Sequence, residues 1–252
     1  MTTRRSAVRI FVGALVVLAA VLLWRHHVHE EEARMMRTDP DAILTTPGLR
    51  DTALKRGKEV FAENCASCHG ADAKGSTLKA IPDMTDDDYL YGQNTPSDIE
   101  QIVLHGIRAG DTKGWNLADM PGYARAIPYA REKLPPLTPA QTDDLVAFLR
   151  AANGNGGYDE ARVDRGRMMF KTTAGCGDCH GGDAGGDPAI GAPNLVDGKW
   201  LKGNGSEADI RHTLERGLAG VSPAFIHRLS GYDARVVAVY TASLHPPTKP
   251  AQ

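Results

Sequence analysis

A strong net charge is missing from this 252-residue chain, because 29 lysines and arginines are balanced by 31 aspartates and glutamates. A basic surface for nucleic acid is therefore not indicated. Aromatic residues are also few, at 6% of the chain, whereas glycine and proline number 27 and 15. Much of the chain must then form turns and loops. The sequence shows neither a nucleophile–base pair nor a glycine-rich phosphate loop, so it predicts no substrate chemistry of the chain alone.

Cysteine is scarce as well, and its four copies all belong to one repeated motif. Segments 65–69 and 176–180 both read C-x-x-C-H, which is the attachment sequence of c-type haem. Two thiols bind one porphyrin, and the histidine that follows ligates its iron. A zinc site is disfavoured, because the pairs lie far apart and a histidine follows each. The motifs predict two covalently bound haem c groups, held by Cys65, Cys68, Cys176 and Cys179, with His69 and His180 on the irons.

Long hydrophobic runs are missing except at the N-terminus, where residues 10–24 are apolar and three arginines precede them. No small-residue cleavage site follows, so residues 1–25 predict a retained membrane anchor rather than a cleaved signal peptide. The arginine excess predicts a cytoplasmic N-terminus and a periplasmic remainder, in a single-pass protein of a bacterial inner membrane. Residues 26–50 are polar and predict a stalk between the membrane and the haem domains.

The rest of the chain contains an internal repeat. At one constant offset, Cys65 aligns with Cys176 and Pro82 aligns with Pro193. Such a match over a long stretch, loops included, indicates one duplicated domain. We predict an all-α fold in which two tandem class I cytochrome c domains follow one transmembrane helix. The predicted domains are 51–152 and 159–246, with a linker at 153–158 and a tail at 247–252.

Each repeat is predicted to contain a leading helix before the haem motif, a middle helix after it and a closing helix. The leading helices cover 51–64 and 159–172, and the middle helices begin near caps at Ser97 and Ser206. The first closing helix begins at Thr138, which is followed by a proline. The second closing helix carries its apolar positions at Val236, Val239 and Tyr240.

The second axial ligand of the first haem is predicted to be Met120. Methionine is a common second ligand in cytochromes c, and Met120 lies in a loop shortly before the closing helix. Met84 is the other methionine between the two motifs, but its counterpart in the second repeat is Leu195, which cannot ligate iron. The alternative for Met120 is that it fills a gap in the core.

The second haem lacks such a methionine, because Ser222 aligns with Met120 and no methionine follows His180. His227, a little further along, is the first candidate for the missing ligand. An iron without a sixth protein ligand is the competing interpretation. The remaining candidate ligands are His212, His245, Lys199 and Lys202.

The motifs and the loops after them resemble one family, the di-haem cytochrome subunit (subunit III) of cbb-type haem–copper terminal oxidases. The resemblance covers residues 38–245. It implies a subunit that takes electrons from a quinol–cytochrome c reductase or a soluble cytochrome c and passes them to the oxidase's catalytic subunit. The similar segments are Pro82-Asp-Met-Thr-Asp-Asp-Asp-Tyr-Leu-Tyr-Gly92, His105-Gly-Ile-Arg108, the approach to Met120-Pro121, Gly191-Ala-Pro-Asn-Leu195 and Trp200-Leu201.

The chain departs from that family at Ser222, where the family has methionine. Two other functions therefore stay open beside electron transfer. One is a haem enzyme, or a sensor that binds a gas or peroxide at the second haem. The other is the cytochrome subunit of a periplasmic dehydrogenase. The resemblance itself implies an electron-transfer subunit that performs no catalysis alone.

Overall fold

The computed structural model describes residues 2–127 and 134–245, with side chains from residue 11 onward. Helices dominate this part of the chain, and its β-type pairings are isolated bridges. The predicted all-α fold with an N-terminal membrane helix is confirmed, while the predicted tail at 247–252 lies outside the described residues. The helices are α1 (Thr2–Arg37), α2 (Leu49–Asn64), α3 (Ala66–His69), α4 (Pro96–His105), α5 (Pro139–Ala152), α6 (Glu160–Lys171), α7 (Gly177–His180), α8 (Glu207–Arg216) and α9 (Gly231–Ala242), with a 3-10 helix at Pro40–Thr45.

The anchor and about half of the predicted stalk form one helix. From Phe11 onward α1 is long and apolar enough to cross a membrane, and it continues unbroken through polar residues to Arg37. Met35 and Ile43 are fully buried in a core that α2 and α9 also form. The stalk predicted at 26–50 therefore ends inside the folded domain, because its few apolar residues find partners there.

A buried ion pair fixes this junction. Nε of Arg235 donates to Oε2 of Glu100 at 2.6 Å. Nη1 of the same guanidinium donates to the carbonyl oxygens of Met35 and Thr38, at 3.3 and 2.9 Å. Only 12% of the Arg235 side chain and 9% of the Glu100 side chain are exposed. Loss of either partner would leave the other charge buried and unpaired.

We expect Arg235→Ala to lower the free energy of unfolding by about 3 kcal/mol, as is usual when one partner of a buried pair is removed. Urea unfolding of the detergent-solubilised chain, followed by circular dichroism, measures the loss. Arg50→Ala is the matched control, because Arg50 pairs with Asp51 on the exposed surface of α2, and exposed pairs contribute less than about 1 kcal/mol. Equal losses in the two variants would contradict a structural role for the buried pair.

The closing helix of each repeat packs against the other repeat. α9 packs on α2 and α4, whereas α5 packs on α6 and α8. A glycine allows each close crossing, because a Cβ atom at Gly57 would overlap the carbonyl oxygen of Val236, and one at Gly166 would overlap that of Asp144. We call α2, α3, α4 and α9 the first unit and α5, α6, α7 and α8 the second unit.

Matching aromatic pairs confirm that the two crossings are equivalent. The ring centroids of Phe61 on α2 and Tyr240 on α9 lie 5.6 Å apart. Those of Phe170 on α6 and Phe148 on α5 lie 5.4 Å apart. Each leading helix thus offers the same surface, a glycine followed one turn later by a phenylalanine, and a closing helix from either repeat can pack there.

The short joint between the repeats explains why the closing helices are exchanged. α5 ends at Ala152 and α6 begins at Glu160, so the chain turns back at once and the two helices pack as a hairpin. α9 is then left to cover α2. The domains predicted at 51–152 and 159–246 describe the sequence repeats, but each folded unit contains helices from both.

The helices begin at the predicted signals with one difference. Thr138 and Ser206 are N-caps, as predicted, and each hydroxyl accepts a hydrogen bond from a backbone N–H of its helix. The prediction of Ser97 as the cap of α4 is wrong. Thr95 is the cap, because Pro96 occupies the first helical position. Ser97 instead donates its N–H and hydroxyl to a carboxylate of the 3-10 helix.

Candidate haem sites

Each C-x-x-C-H motif forms a single helical turn, α3 or α7, within a few residues of the end of a leading helix. Helical spacing places its two thiols on one face, with the histidine beside them. No disulfide joins the four cysteines, so all four can bond to haem. Nδ1 of His180 lies 3.0 Å from the carbonyl oxygen of Pro193, and a hydrogen bond there leaves Nε2 for a metal.

The residues around the motifs fit a haem. In the described part of the chain, two buried polar atoms lack a partner, Nδ1 of His69 and the phenolic oxygen of Tyr89, and a polar group of a bound cofactor can satisfy such an atom. Burial lowers the pKa of His69 and of His180, so both imidazoles are neutral, the form that ligates iron. Burial also raises the pKa of the Cys65 and Cys176 thiols to about 11.

Residues of both motifs line one continuous, largely apolar cavity. Around it the two units contact each other through a symmetric pair of backbone hydrogen bonds. The N–H of Gly92 donates to the carbonyl oxygen of Pro188, and the N–H of Gly203 donates to that of Thr77, both at 3.0 Å. The loops after the two motifs are therefore fixed face to face.

Met120 lies in the second unit. It packs against the buried cluster that contains Cys176 and Phe170, and its N–H donates to the carbonyl oxygen of Leu218 at 3.1 Å. This packing does not support the predicted pairing of Met120 with His69. The reason is the helix exchange, since the loop that carries Met120 accompanies α5 into the second unit.

The structure also places His227 away from the second motif. His227 is exposed, in a turn just before α9, and it does not line the cavity. The neighbouring N–H of Ile226 donates to the carbonyl oxygen of Leu104 on α4, at 3.1 Å, so this turn belongs to the first unit. The predicted ligation of the second haem by His227 therefore has no geometric support, because the turn accompanies α9.

The remaining candidate ligands have other contacts. His212 is exposed on α8. Lys199 and Lys202 reach across to the first unit, where Lys199 pairs with Asp87 and Lys202 donates to a backbone carbonyl. Nδ1 of His245 lies 2.5 Å from a backbone carbonyl oxygen of the loop after the first motif. Each of these four side chains therefore either holds a loop in place or faces solvent.

Comparison with known proteins assigns both repeats to cytochrome families. A model of the cytochrome c family matches residues 54–153. A model of the cbb3-type cytochrome c oxidase subunit III family matches residues 161–240. The two matches fall on the two repeats, one each.

Curated relatives cover both repeats together. The cbb3-type cytochrome c oxidase subunit FixP of Azorhizobium caulinodans is 34% identical over 212 residues, which are 84% of this chain and 67% of the relative. The corresponding subunit CcoP of Rhodobacter capsulatus is 37% identical over 221 residues, 84% of this chain and 69% of the relative. The chain belongs to the FixP/CcoP family. It spans about two thirds of the length of these relatives.

Membership of the FixP/CcoP family makes this chain a di-haem cytochrome c. Two cytochrome c domains with one attachment motif each hold two covalent haem c groups. The chain is an electron-transfer protein that performs no catalysis alone. These conclusions confirm the sequence predictions of cofactor, fold and role.

In this FixP/CcoP-family chain, Arg108 joins both repeats where the units meet. Its Nε donates to the carbonyl oxygen of Gly220 at 2.6 Å. Its Nη1 donates to that of Ala118 at 2.6 Å, and its Nη2 donates to the phenolic oxygen of Tyr91 at 2.9 Å. One planar guanidinium thus connects three loops that line the cavity.

We expect Arg108→Ala to lower the free energy of unfolding by about 2 kcal/mol, because hydrogen bonds to a charged group contribute about 1.5–3 kcal/mol. Chemical unfolding of the purified holoprotein measures the change. Arg108→Lys keeps the charge but not the fork of donors, so it should recover less than half of the loss. Full recovery by lysine would show that charge alone matters at this position.

Proposed function

We propose that the chain carries electrons from a quinol–cytochrome c reductase or a soluble cytochrome c to the haem–copper catalytic subunit of a cbb3-type oxidase. Its relatives are named as subunits of that oxidase. Haem supplies reversible one-electron chemistry, and the chain's residues hold two such groups together. The observation that supports this role is that residues of both motifs line one cavity, so the two haem groups would lie next to each other.

We further propose that His180 and Met120 would ligate the iron of the haem held by Cys176 and Cys179. The support is the packing of Met120 against the Cys176 cluster. A methionine thioether as the second iron ligand would raise the reduction potential of this haem. The apolar neighbours Leu195 and Trp200 keep water from this site and favour the less charged, reduced state.

The proposed orientation places the N-terminus in the cytoplasm and the haem units in the periplasm. The arginines before the apolar run support it, because positive charge is retained on the cytoplasmic side. The burial of Met35 in the first unit connects this unit directly to the anchor. The first unit therefore lies nearer to the membrane than a free stalk would place it.

Affinity purification of the tagged chain from detergent-solubilised membranes tests this function. A haem–copper subunit should co-purify, and the preparation should oxidise reduced cytochrome c. Membranes without the chain should lose at least tenfold in that activity, and expression of the full chain should restore it. Co-purification with a periplasmic dehydrogenase in place of a haem–copper subunit would overturn the proposal.

A further inference from the structure

We propose that, among the described residues, none ligates the haem held by Cys65 and Cys68 opposite His69, and that this haem binds a small uncharged diatomic gas there. This inference follows from the exchange of the closing helices, because each helix carries the loop before it to the haem of the other repeat. It rests on the proposed function and deepens it. It assigns the altered site to the first haem, whereas the sequence alone pointed to the second. The supporting observations are the contacts of Ser222, the position of Met84 and the role of His245.

Ser222 occupies in the first unit the place that Met120 occupies in the second. The N–H and carbonyl of Ser222 pair with Ile107 at 3.0 and 2.9 Å, as those of Met120 pair with Leu218 at 3.1 and 3.0 Å. The symmetry of these four bonds shows that the two residues are structural counterparts. The hydroxyl of a serine is not among the usual axial ligands of haem iron.

The next turn repeats this correspondence. Phe225 donates its N–H to the carbonyl oxygen of Val103 on α4 at 2.9 Å. Tyr123 donates its N–H to the carbonyl oxygen of Leu214 on α8 at 2.7 Å. Both loops therefore follow one path along the middle helix of the opposite repeat, and Ser222 lines the cavity as Met120 does.

Met84 lies on the histidine side of the first site and cannot replace the missing ligand. Its N–H donates to the carbonyl oxygen of Ala73 at 2.8 Å, as Leu195 donates to that of Ala184 at 2.9 Å. In the second unit this loop also provides the carbonyl beside the His180 ring. The same loop in the first unit is thus placed beside His69 rather than opposite it.

His245 has a structural role instead. It stands at the same position after the N-cap of α9 as Asn153 after that of α5. Asn153 donates to the carbonyl oxygen of Leu195 at 2.7 Å and accepts from the N–H of Gly198 at 2.8 Å. His245 contacts the equivalent loop of the first unit through Nδ1. Both side chains therefore hold the loop after the haem motif.

The walls of the first site favour a small uncharged ligand. Ile99, Ile102, Ile107 and Val221 line this part of the cavity. Apolar walls disfavour the entry of an anion, and a nearby hydroxyl can donate a hydrogen bond to a bound gas. Binding is simple coordination, in which the ligand's lone pair bonds to ferrous iron, no bond breaks and no electron is lost.

Carbon monoxide added to the reduced, full-length holoprotein in detergent tests the proposal. We expect saturation at half of the haem, with two haems per chain counted beforehand. Cys68→Ala leaves one vinyl group of the first haem unreacted, which moves its absorption to longer wavelength, and Cys179→Ala marks the second haem in the same way. In Cys68→Ala, carbon monoxide should shift the bands that have moved to longer wavelength. In Cys179→Ala, it should shift the bands that remain at their usual wavelength. The reverse assignment, or no binding, would overturn the proposal.

Ser222→Met provides the decisive variant, since it restores the residue that the second unit has at this place. We expect carbon monoxide binding to fall at least tenfold, whereas the matched variant Ser222→Leu retains it. Equal binding by the two variants would show that Ser222 does not face the open iron. Co-purification with the oxidase is measured on the same samples, so that a failure of gas binding and a failure of the proposed function are separate results.

Discussion

Replacing Met120 with leucine is expected to free the sixth coordination position of the haem at Cys176 and Cys179. Leucine has a similar volume but no ligating atom, so the fold should survive. The low-spin spectrum of this haem should disappear, and carbon monoxide capacity should rise from one to two per chain. The reduction potential should fall, because the thioether stabilises ferrous iron.

The vinyl marker shows which haem responds. In the Cys179→Ala background, Met120→Leu should change the bands at longer wavelength, which belong to the second haem. In the Cys68→Ala background, it should change the bands at the usual wavelength, which again belong to the second haem. Met84→Leu is the matched control, because it removes the other methionine between the motifs and should leave both spectra unchanged. A response of the first haem to Met120→Leu would restore the pairing that the repeat alignment suggested.

An aspartate in place of Val237 is expected to unfold the first unit, although Val237 lies in the second repeat. Val237 is fully buried in a core formed with α2. A carboxylate without a partner at such a place costs at least about 4 kcal/mol. The second unit takes its closing helix from the first repeat and should stay folded.

Limited proteolysis with mass spectrometry measures this difference. Val237→Asp should expose α2 to cleavage at least tenfold faster and leave α6 protected. Leu145→Asp is the matched variant, because Leu145 is fully buried at the corresponding position of α5, and it should give the opposite pattern. Faster cleavage of α6 than of α2 in Val237→Asp would contradict the exchange of closing helices.

The sequence was sufficient to predict the cofactors, the anchor, the repeat and most helix starts. These features depend on local chemistry, such as two thiols and a histidine in one turn, or the cap at Thr138. The partner of each closing helix was not predictable from such patterns, because Gly57 and Gly166 create equivalent surfaces. One signal was present, since the joint at 153–158 is too short to hold α5 away from α6.

The axial ligands could likewise be predicted only in part from the sequence. Alignment of the repeats correctly paired Ser222 with Met120, as their matching hydrogen bonds show. The alignment did not show in which folded unit the loop of Ser222 or the loop of Met120 lies. The preference for His227 followed from counting residues along one repeat, whereas the loop lies beside the other.

Exchange of α5 and α9 also fixes the order in which the two units can be completed during synthesis. The helices of the second unit, α5 to α8, are consecutive, and the loop of Met120 directly precedes them. This unit can close before α9 is made. α2 of the first unit must wait for α9, which follows the whole second unit in the chain. The first motif therefore emerges earlier than the second but is enclosed later, so it stays open to the haem-attachment machinery for longer.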